Sequence, residues 1–173
     1  MLAAGERMMT YRFDGYWKDV GTIDSLWEAN MDMLATSTGS VLNSDMRIYG
    51  RNPTAPPHYI GADARVSHSL ITEGCQVYGT VENSVLFNDV MVEPGAVIKY
   101  SIIMPGTMVC RDAKIEYAIV AEDAVIGERA RVGGDPSCAE APDEWGVTVV
   151  AAGVSVGKGK TLKPRTMADD DVV

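Results

Sequence analysis

The chain has 173 residues, of which 46% are hydrophobic, and its 24 acidic and 15 basic side chains give a formal net charge of -9. This length and apolar content suit one cored domain, or one domain joined to part of another. The negative charge disfavours non-specific binding to nucleic acid or anionic membranes. No apolar run approaches the roughly 18 residues of a membrane span, and residues 1–7 lack a secretory signal. We therefore expect a cytoplasmic protein without nucleic-acid or membrane partners.

The region before residue 42 contains a helix signal and the most distinctive segment of the chain. Residues 11–30 are rich in aromatic, glycine and acidic residues, and no later segment resembles them. Thr22 is a suitable N-cap, and the apolar residues after it have helical spacing. These residues are Ile23, Leu26, Trp27, Met31 and Leu34. The polar run at 36–40 predicts the end of the helix, and we expect one unit over 1–41 and a second over 42–173.

A repeat of 17 residues fills the second unit. Residues 83–99, 100–116 and 117–133 align as three copies, and residues 68–82 form a copy two residues shorter. Three columns of this alignment contain only aliphatic side chains, nearly all β-branched. They are Ile71, Leu86, Ile103 and Val120; Val77, Val92, Val109 and Ile126; and Val81, Ile98, Ile115 and Val132.

One large aliphatic residue about every six positions is incompatible with an α-helix and too sparse for a two-residue alternation. Three short strands per repeat, each pointing one aliphatic side chain inward, would form triangular coils that stack around an apolar column. Turn residues such as Asn88-Asp89 and Pro94-Gly95 lie where the corners would be. The sequence therefore predicts a mainly β protein, a parallel β-helix of hexapeptide repeats with a coil of about 17–18 residues.

Both ends of the repeat can be traced less regularly. The six-residue step extends upstream through Leu42, Ile48, Thr54, Ile60 and Val66, and it resumes downstream at Val150, Val156 and Leu162. We predict an excursion loop over 133–145 and a tail over 165–173 that frays or docks weakly. Because a solenoid exposes strand edges and coil ends, we also expect self-association.

The first segment resembles a known enzyme family. Its sequence FDGYWKDVGTIDSLWEANMDML is similar to the end of the catalytic domain of bacterial glucose-1-phosphate adenylyltransferase, also called ADP-glucose pyrophosphorylase. Residues 4–12 resemble the strand that enters this motif in the family, and residues 120–127 and 146–150 resemble its solenoid. The resemblance implies a left-handed β-helix, preceded by a short strand and an α-helix from the end of an α/β nucleotidyltransferase domain.

The resemblance also implies a chemistry. Members join glucose 1-phosphate to the α-phosphate of ATP, giving ADP-glucose and pyrophosphate for glycogen synthesis, with Mg²⁺ bound to carboxylates. Asp19 matches the metal-binding, catalytic aspartate of the family's DVGT motif, whereas on composition alone it could be a surface or capping carboxylate. Tyr16 and Trp17 could line the sugar side of the cleft or pack at a domain junction. Gly21 could let the backbone approach substrate, or could form a simple turn.

Family members are typically tetramers regulated by phosphorylated or carboxylated metabolites, which need convergent basic residues. Solvated basic clusters are the more common explanation of such residues. The candidates are Arg47, Arg51, Lys158, Lys160, Lys163 and Arg165. Lys18 could meet phosphate or remain in solvent.

Three functional hypotheses remain open at this stage. The chain could be the oligomerisation and regulatory part of the adenylyltransferase, inactive by itself because the family's nucleotide-binding loop is not in the sequence. It could be a non-catalytic regulatory or assembly subunit of that enzyme. It could also be a hexapeptide-repeat acyltransferase, which usually uses a histidine base, and the chain has only His58 and His68.

Overall fold

The computed structural model describes residues 2–35, 50, 54–138 and 146–173, and in these ranges it is a β-solenoid preceded by one α-helix. The helix α1 covers Ile23–Asp32, and 3-10 turns lie at Leu2–Ala4 and Pro136–Cys138. The strands are β1 Tyr59–Ile60, β2 Arg65–Ser67, β3 Leu70–Ile71, β4 Gln76–Val77, β5 Thr80–Glu82, β6 Val85–Leu86, β7 Met91–Val92, β8 Val97–Lys99, β9 Ile102–Ile103, β10 Met108–Val109, β11 Lys114–Glu116, β12 Ala118–Val120, β13 Val125–Ile126, β14 Arg131–Gly133, β15 Thr148–Val150, β16 Ser155–Val156, β17 Thr161–Leu162 and β18 Met167–Ala168.

The strands form three parallel sheets of six strands each, which are the three sides of a triangular coil. Sheet A has the order β1-β4-β7-β10-β13-β16, sheet B β2-β5-β8-β11-β14-β17, and sheet C β3-β6-β9-β12-β15-β18. The chain visits A, B and C in turn, so each strand pairs with the strand one coil later. In the full repeats, paired residues are 17 apart, as for Met91 and Met108. The predicted β-helix of hexapeptide repeats is therefore confirmed, while its handedness stays a prediction.

The predicted inward columns form the core. Eleven of the twelve aliphatic residues in the three columns are buried, and Ile71, in an early coil, is partly buried against the others. The small residues Ala96, Ala113 and Ala130 are fully buried beside them. Burying a Val or Ile side chain stabilises the folded state by about 1.5–3 kcal/mol. Because each strand has only two or three residues, this stacking, rather than any single strand, stabilises the solenoid.

The corners of the coils need a left-handed backbone conformation. Between sheets C and A the corner residue is alternately glycine and aspartate, and every one of these residues has positive φ: Gly74, Asp89, Gly106, Asp123 and Gly153. Between sheets A and B, Gly95, Asp112, Arg129 and Gly159 also have positive φ, but without the alternation. Glycine enters this conformation without steric cost, and aspartate and asparagine tolerate it better than most residues. The turns predicted at Asn88-Asp89 and Pro94-Gly95 are among these corners.

A ladder of serines supports the corners between sheets B and C. The Ser84 hydroxyl donates to the Glu82 carbonyl and accepts from the backbone N–H of Ser101, at 2.7 Å and 3.1 Å. Ser101 repeats this arrangement with Lys99 and Ala118. Both serines are fully buried, so their hydroxyl groups need these partners.

Two sequence-based expectations are corrected by the structure. No strand forms over residues 4–12, which end one 3-10 turn and continue without regular structure, because no described segment pairs with them. The tail does not fray: β18 pairs with β15, Ala168 is buried, and Val172 bridges to Val156, so the tail continues the coil. The predicted excursion lies between β14 and β15, and its residues 139–145 are outside the described part of the chain, as are Leu42 and Ile48 and the predicted boundary at 36–42.

Replacing Gly95 with alanine should destabilise the solenoid more than replacing Gly159. Both residues have φ between +70° and +79°, so each alanine incurs the left-handed penalty of roughly 1–2 kcal/mol. A Cβ on Gly95 would also collide with the Asp112 carboxylate, whereas a Cβ on Gly159 meets nothing within 4 Å. Urea unfolding followed by circular dichroism measures both variants. Equal losses of unfolding free energy would contradict the close packing of Gly95 against the Asp112 carboxylate.

Candidate functional site

Helix α1 is fixed at its start by its own sequence. Thr22 is the N-cap: its hydroxyl accepts from the Ser25 backbone N–H at 3.2 Å, and the Ser25 hydroxyl accepts from the Thr22 backbone N–H at 3.0 Å. This reciprocal capping box satisfies two N–H groups that a helix terminus leaves free. The helix and the N-cap predicted from the sequence are confirmed.

The apolar face of α1 lies on the outer surface of sheet C. Ile102, Ile119 and Val147 point out of the solenoid and are nonetheless buried, because the helix covers them. The helical side chains in this second core are Ile23, Leu26, Trp27 and Met31. Because sheet C is apolar on both faces, the helix and the solenoid share a core.

Trp27 adds a polar and an aromatic contact to this interface. Its indole Nε1 donates to the carbonyl of Tyr100 at 2.7 Å, and its ring centroid lies 5.7 Å from that of Tyr117. Tyr100 and Tyr117 stack on successive coils, with centroids 4.8 Å apart and planes at 12°. The two tyrosines occupy the same position in successive 17-residue repeats, which brings one ring over the other. A tryptophan so placed combines a large apolar contact with one directional hydrogen bond.

The residues before α1 are tied back to it by Lys18. Its ammonium group lies 2.9 Å from both Glu28 Oε2 and Asp32 Oδ2, two carboxylates one helical turn apart. The Tyr16 hydroxyl donates to the same Asp32 oxygen at 3.1 Å. The hydrogen bonds to Glu28 and Asp32 raise the pKa of Lys18, so the lysine remains charged in the physiological range. Desolvation, followed by the hydrogen bond to Asp32, raises the pKa of Tyr16, which therefore remains a hydrogen-bond donor.

Glu28 and Asp32 thus form a clamp around Lys18, and the next residue, Asp19, is exposed. Its Oδ1 accepts from the Gly21 backbone N–H at 3.1 Å, which forms a local turn just before the N-cap. A Cβ at Gly21 would lie 3.3 Å from the same oxygen, so glycine leaves room for the carboxylate. One carboxylate oxygen makes this contact, and the exposed group can accept from further donors or bind a hard cation. No group of three His, Cys, Asp or Glu side chains in the described ranges is placed to hold a metal ion.

The predicted substrate residues lie together around Asp19. Tyr16, Trp17, Asp19 and Gly21 fall in one short segment, with Trp17 75% exposed and Tyr16 held on α1. Their roles towards substrate stay predictions. The clamp by Glu28 and Asp32 was not foreseen, although the four-residue spacing of these acids on the predicted helix was a usable signal. Lys18 is half-buried between two carboxylates rather than free in solvent.

The residues predicted to bind a regulatory metabolite are spread over separate corners of the solenoid. Lys158 and Lys160 lie at the corner between sheets A and B, and Lys163 and Arg165 follow β17 at the next corner. Lys158 pairs with Glu128, and hydrogen bonding by Lys158 lowers the pKa of that carboxyl group. The Arg165 side chain approaches Gly146, which lines a shallow recess beside Asp24 and Glu28 of α1. Arg47 and Arg51 are outside the described residues.

The histidines lie in simple surroundings. The His68 ring nitrogen Nδ1 is 2.8 Å from Asn83 Oδ1 at a coil corner, and His58 precedes β1 beside Thr72, Glu73 and Asn88. Cys75 and Cys110 are free thiols. In the ranges that the structure describes, no helix is long and apolar enough to cross a bilayer.

Comparison with known proteins matches both parts of the structure. The family model "GlmU-like, C-terminal hexapeptide" matches residues 58–157, which is most of the solenoid. The chain belongs to this hexapeptide family. The model "Nucleotidyl transferase" matches residues 1–36, the segment that contains the clamp, Asp19 and α1.

The relatives of this hexapeptide-family chain agree with the predicted resemblance. A glucose-1-phosphate adenylyltransferase of Bacillus cereus (strain Q1) is 51% identical over 127 residues, which cover 73% of this chain and 34% of the relative. Enzymes of the same name from Bacillus thuringiensis (strain Al Hakam) and Bacillus anthracis are 50% identical over the same length. The resemblance to glucose-1-phosphate adenylyltransferase predicted from the sequence is thereby confirmed. The chain spans about a third of the length of these relatives.

Replacing Trp27 with phenylalanine should weaken the docking of α1. The substitution keeps most of the ring contact but leaves the Tyr100 carbonyl without its indole donor, which should lower the free energy of unfolding by about 1–3 kcal/mol. The matched control is Trp17→Phe. Because Trp17 is 75% exposed, its replacement should leave the free energy of unfolding nearly unchanged. Urea unfolding followed by circular dichroism compares the two. A loss of the same size in both variants would contradict the anchoring role of Trp27.

Proposed function

We propose that this chain is the C-terminal portion of a glucose-1-phosphate adenylyltransferase, which makes ADP-glucose and pyrophosphate from ATP and glucose 1-phosphate for glycogen synthesis. The observation that supports this most directly is the order and attachment of the two matched segments. A nucleotidyltransferase segment at 1–36 precedes a hexapeptide solenoid, and its helix α1 is packed into a shared core with that solenoid. The relatives that match at about half identity have this enzyme's name.

Asp19 is the proposed catalytic and metal-binding residue. Mg²⁺ binds protein carboxylates together with substrate phosphates and water, and an exposed aspartate with an uncommitted oxygen fits that donor set. Bound Mg²⁺ would neutralise charge on the phosphates. The residues of this chain would hold the carboxylate in position. Gly21 donates to Asp19, and the adjoining Lys18 is clamped by Glu28 and Asp32.

Tyr16, Trp17 and Gly21 are the proposed substrate contacts. Trp17 presents an exposed ring that can contact a sugar face, and the turn at Gly21 leaves the backbone accessible. The Tyr16 hydroxyl is engaged by Asp32, so its ring edge is the part available to substrate. These contacts need the rest of the nucleotide-binding domain opposite them.

The isolated chain is proposed to lack turnover. A single carboxylate holds Mg²⁺ weakly, and the described residues include no cluster of three candidate metal ligands. The basic residues Lys158, Lys160, Lys163 and Arg165, together with Arg47 and Arg51, remain the proposed contacts for an anionic effector. Self-association and a cytoplasmic location complete the proposal.

Two rival functions have weaker support. A non-catalytic assembly subunit would not need an accessible carboxylate beside the α1 clamp, and Asp19 is exposed there. An acyltransferase would need an activated histidine, and His68 is engaged by Asn83 at a coil corner. No observation on the described residues favours either rival over the adenylyltransferase.

Complementation in two pieces tests the proposed function. The chain is co-expressed with the remaining two-thirds of the Bacillus cereus relative, and pyrophosphate release from ATP plus glucose 1-phosphate is measured. We expect activity from the pair and none from the chain alone. Asp19→Asn should lower turnover by at least ~100-fold, the loss typical of removing one group that stabilises transition-state charge.

Asp14→Asn is the matched control. Asp14 is an exposed aspartate of the same segment and pairs only at the surface, with Arg12, so turnover should be nearly unchanged. Turnover by the chain alone, or equal turnover of the Asp19 and Asp14 variants, would contradict the proposal. So would a stable, co-purifying pair without activity.

A further inference from the structure

Two side chains of the segment before α1 converge on one residue of the helix. The Tyr16 hydroxyl and the Lys18 ammonium group both donate to Oδ2 of Asp32, at 3.1 Å and 2.9 Å. Trp17 lies between them in sequence and is 75% exposed, so its side chain is directed away from the helix. This alternation is typical of an extended chain. Asp19, the next residue on the side of Trp17, is exposed as well.

Asp32 is the last residue of α1, a position that helix stability alone disfavours for an acid. The C-terminal end of a helix has a partial negative charge, so a carboxylate there is repelled and a cation is favoured. The last turn of α1 contains no basic residue. Lys18 supplies the missing positive charge from outside the helix. Exceptions of this kind to a local rule are expected at functional sites, where a tertiary contact compensates for them.

The position of Asp32 is itself fixed by the solenoid. The preceding residue, Met31, packs in the core that α1 shares with the outer surface of sheet C. The segment before the helix has less support of its own, because within the described ranges no backbone-to-backbone hydrogen bond holds residues 16–20. The bonds from Tyr16 and Lys18 to the helix are therefore the polar contacts that order this segment against the rest of the molecule.

Glu28 contributes less to this arrangement than Asp32. Its Oε2 accepts from Lys18 alone, and its side chain is 55% exposed, compared with 39% for Asp32. Such an exposed ion pair contributes little free energy. Removing the Glu28 carboxylate leaves both bonds to Asp32 in place. Removing the Asp32 carboxylate releases Tyr16 and leaves Lys18 with one partner.

We propose that Asp32 is a positioning residue for the adenylyltransferase reaction: by holding Tyr16 and Lys18 against α1, it directs Trp17 and Asp19 together towards the substrate. This inference rests on the proposed function and gives one residue of the helix a defined part in it. Asp32 contacts neither substrate nor metal and acts through the position of Asp19. Residues that orient a metal ligand typically contribute about 10–100-fold to metal affinity or activity.

Nitrogen-15 relaxation of the chain alone tests the positioning without metal or turnover. Asp32→Ala should lower the order parameters of amides 17–19 from about 0.85, typical of a rigid backbone, to below about 0.6. Asp24→Ala is the matched control, because Asp24 is an exposed acid in the first turn of the same helix and forms no ion pair with the segment. It should leave these order parameters unchanged. Amides 23–31 should stay ordered in both variants, as expected for an intact helix.

The two-piece enzyme of the complementation test measures the consequence for the reaction. Asp32→Ala should lower kcat about 10-fold or more and raise the Mg²⁺ concentration that gives half-maximal activity. Glu28→Ala should lower kcat only about twofold to fivefold, and Asp24→Ala should leave both quantities unchanged. A merely structural loss would reduce the amount of assembled enzyme, and thus the apparent kcat, without changing the Mg²⁺ requirement.

The outcomes separate this inference from the proposed function. Unchanged order parameters at 17–19 in Asp32→Ala, or an unchanged Mg²⁺ requirement, would overturn the positioning role. Equal effects of Asp24→Ala and Asp32→Ala would show that the charge of the helix matters, rather than the bonds to Tyr16 and Lys18. A parent pair without turnover would contradict the proposed function, whereas relaxation of the chain alone would still decide whether Asp32 orders the segment.

Discussion

The closure of each coil is the constraint on which the rest of the structure depends. A strand of two or three residues has no stability alone, so it must meet the strand one coil later in register. That return requires three corners per coil, and these corners repeatedly use positive φ, supplied by glycine, aspartate and asparagine together with residues such as Tyr100 and Arg129. Once the corners are in place, the aliphatic columns stack and the buried serines Ser84 and Ser101 satisfy backbone groups.

Regular stacking also creates the surface on which helix α1 and the segment at residues 16–21 are held. In the middle coils, sheet C has apolar residues on both faces, so Ile103 and Val120 point into the solenoid while Ile102 and Ile119 point out towards α1. Trp27 joins the helix to the tyrosine stack, and Lys18 ties Asp19 to the helix. The position of the candidate metal ligand is therefore determined by a continuous series of contacts from the solenoid core to the segment at residues 16–21.

Sequence periodicity was sufficient for the solenoid because one position in six is restricted by the core, as at Val77, Val92 and Val109. The N-cap could also be predicted, since the Thr22 side chain bonds to Ser25, only three residues further along the chain. The long-range contacts could not be predicted from such local patterns. The bond from Trp27 to Tyr100 joins residues 73 apart, and the pairing of the tail with β15 depends on coil closure after an excursion. The strand expected at 4–12 did not form, because a strand depends on a partner that no described segment supplies.

Because α1 shares a core with the outer surface of sheet C, α1 and the solenoid should unfold as one unit, and the segment containing Asp19 should have a fixed position. Hydrogen exchange along a urea series, read by mass spectrometry, measures this directly. A ten-residue helix is marginal in isolation. We predict that amides 23–32 are nevertheless protected and lose protection together with those of β9 and β12. Exchange of α1 at the rate of an unstructured peptide, with the sheet C amides still protected, would show that the helix and the solenoid unfold separately.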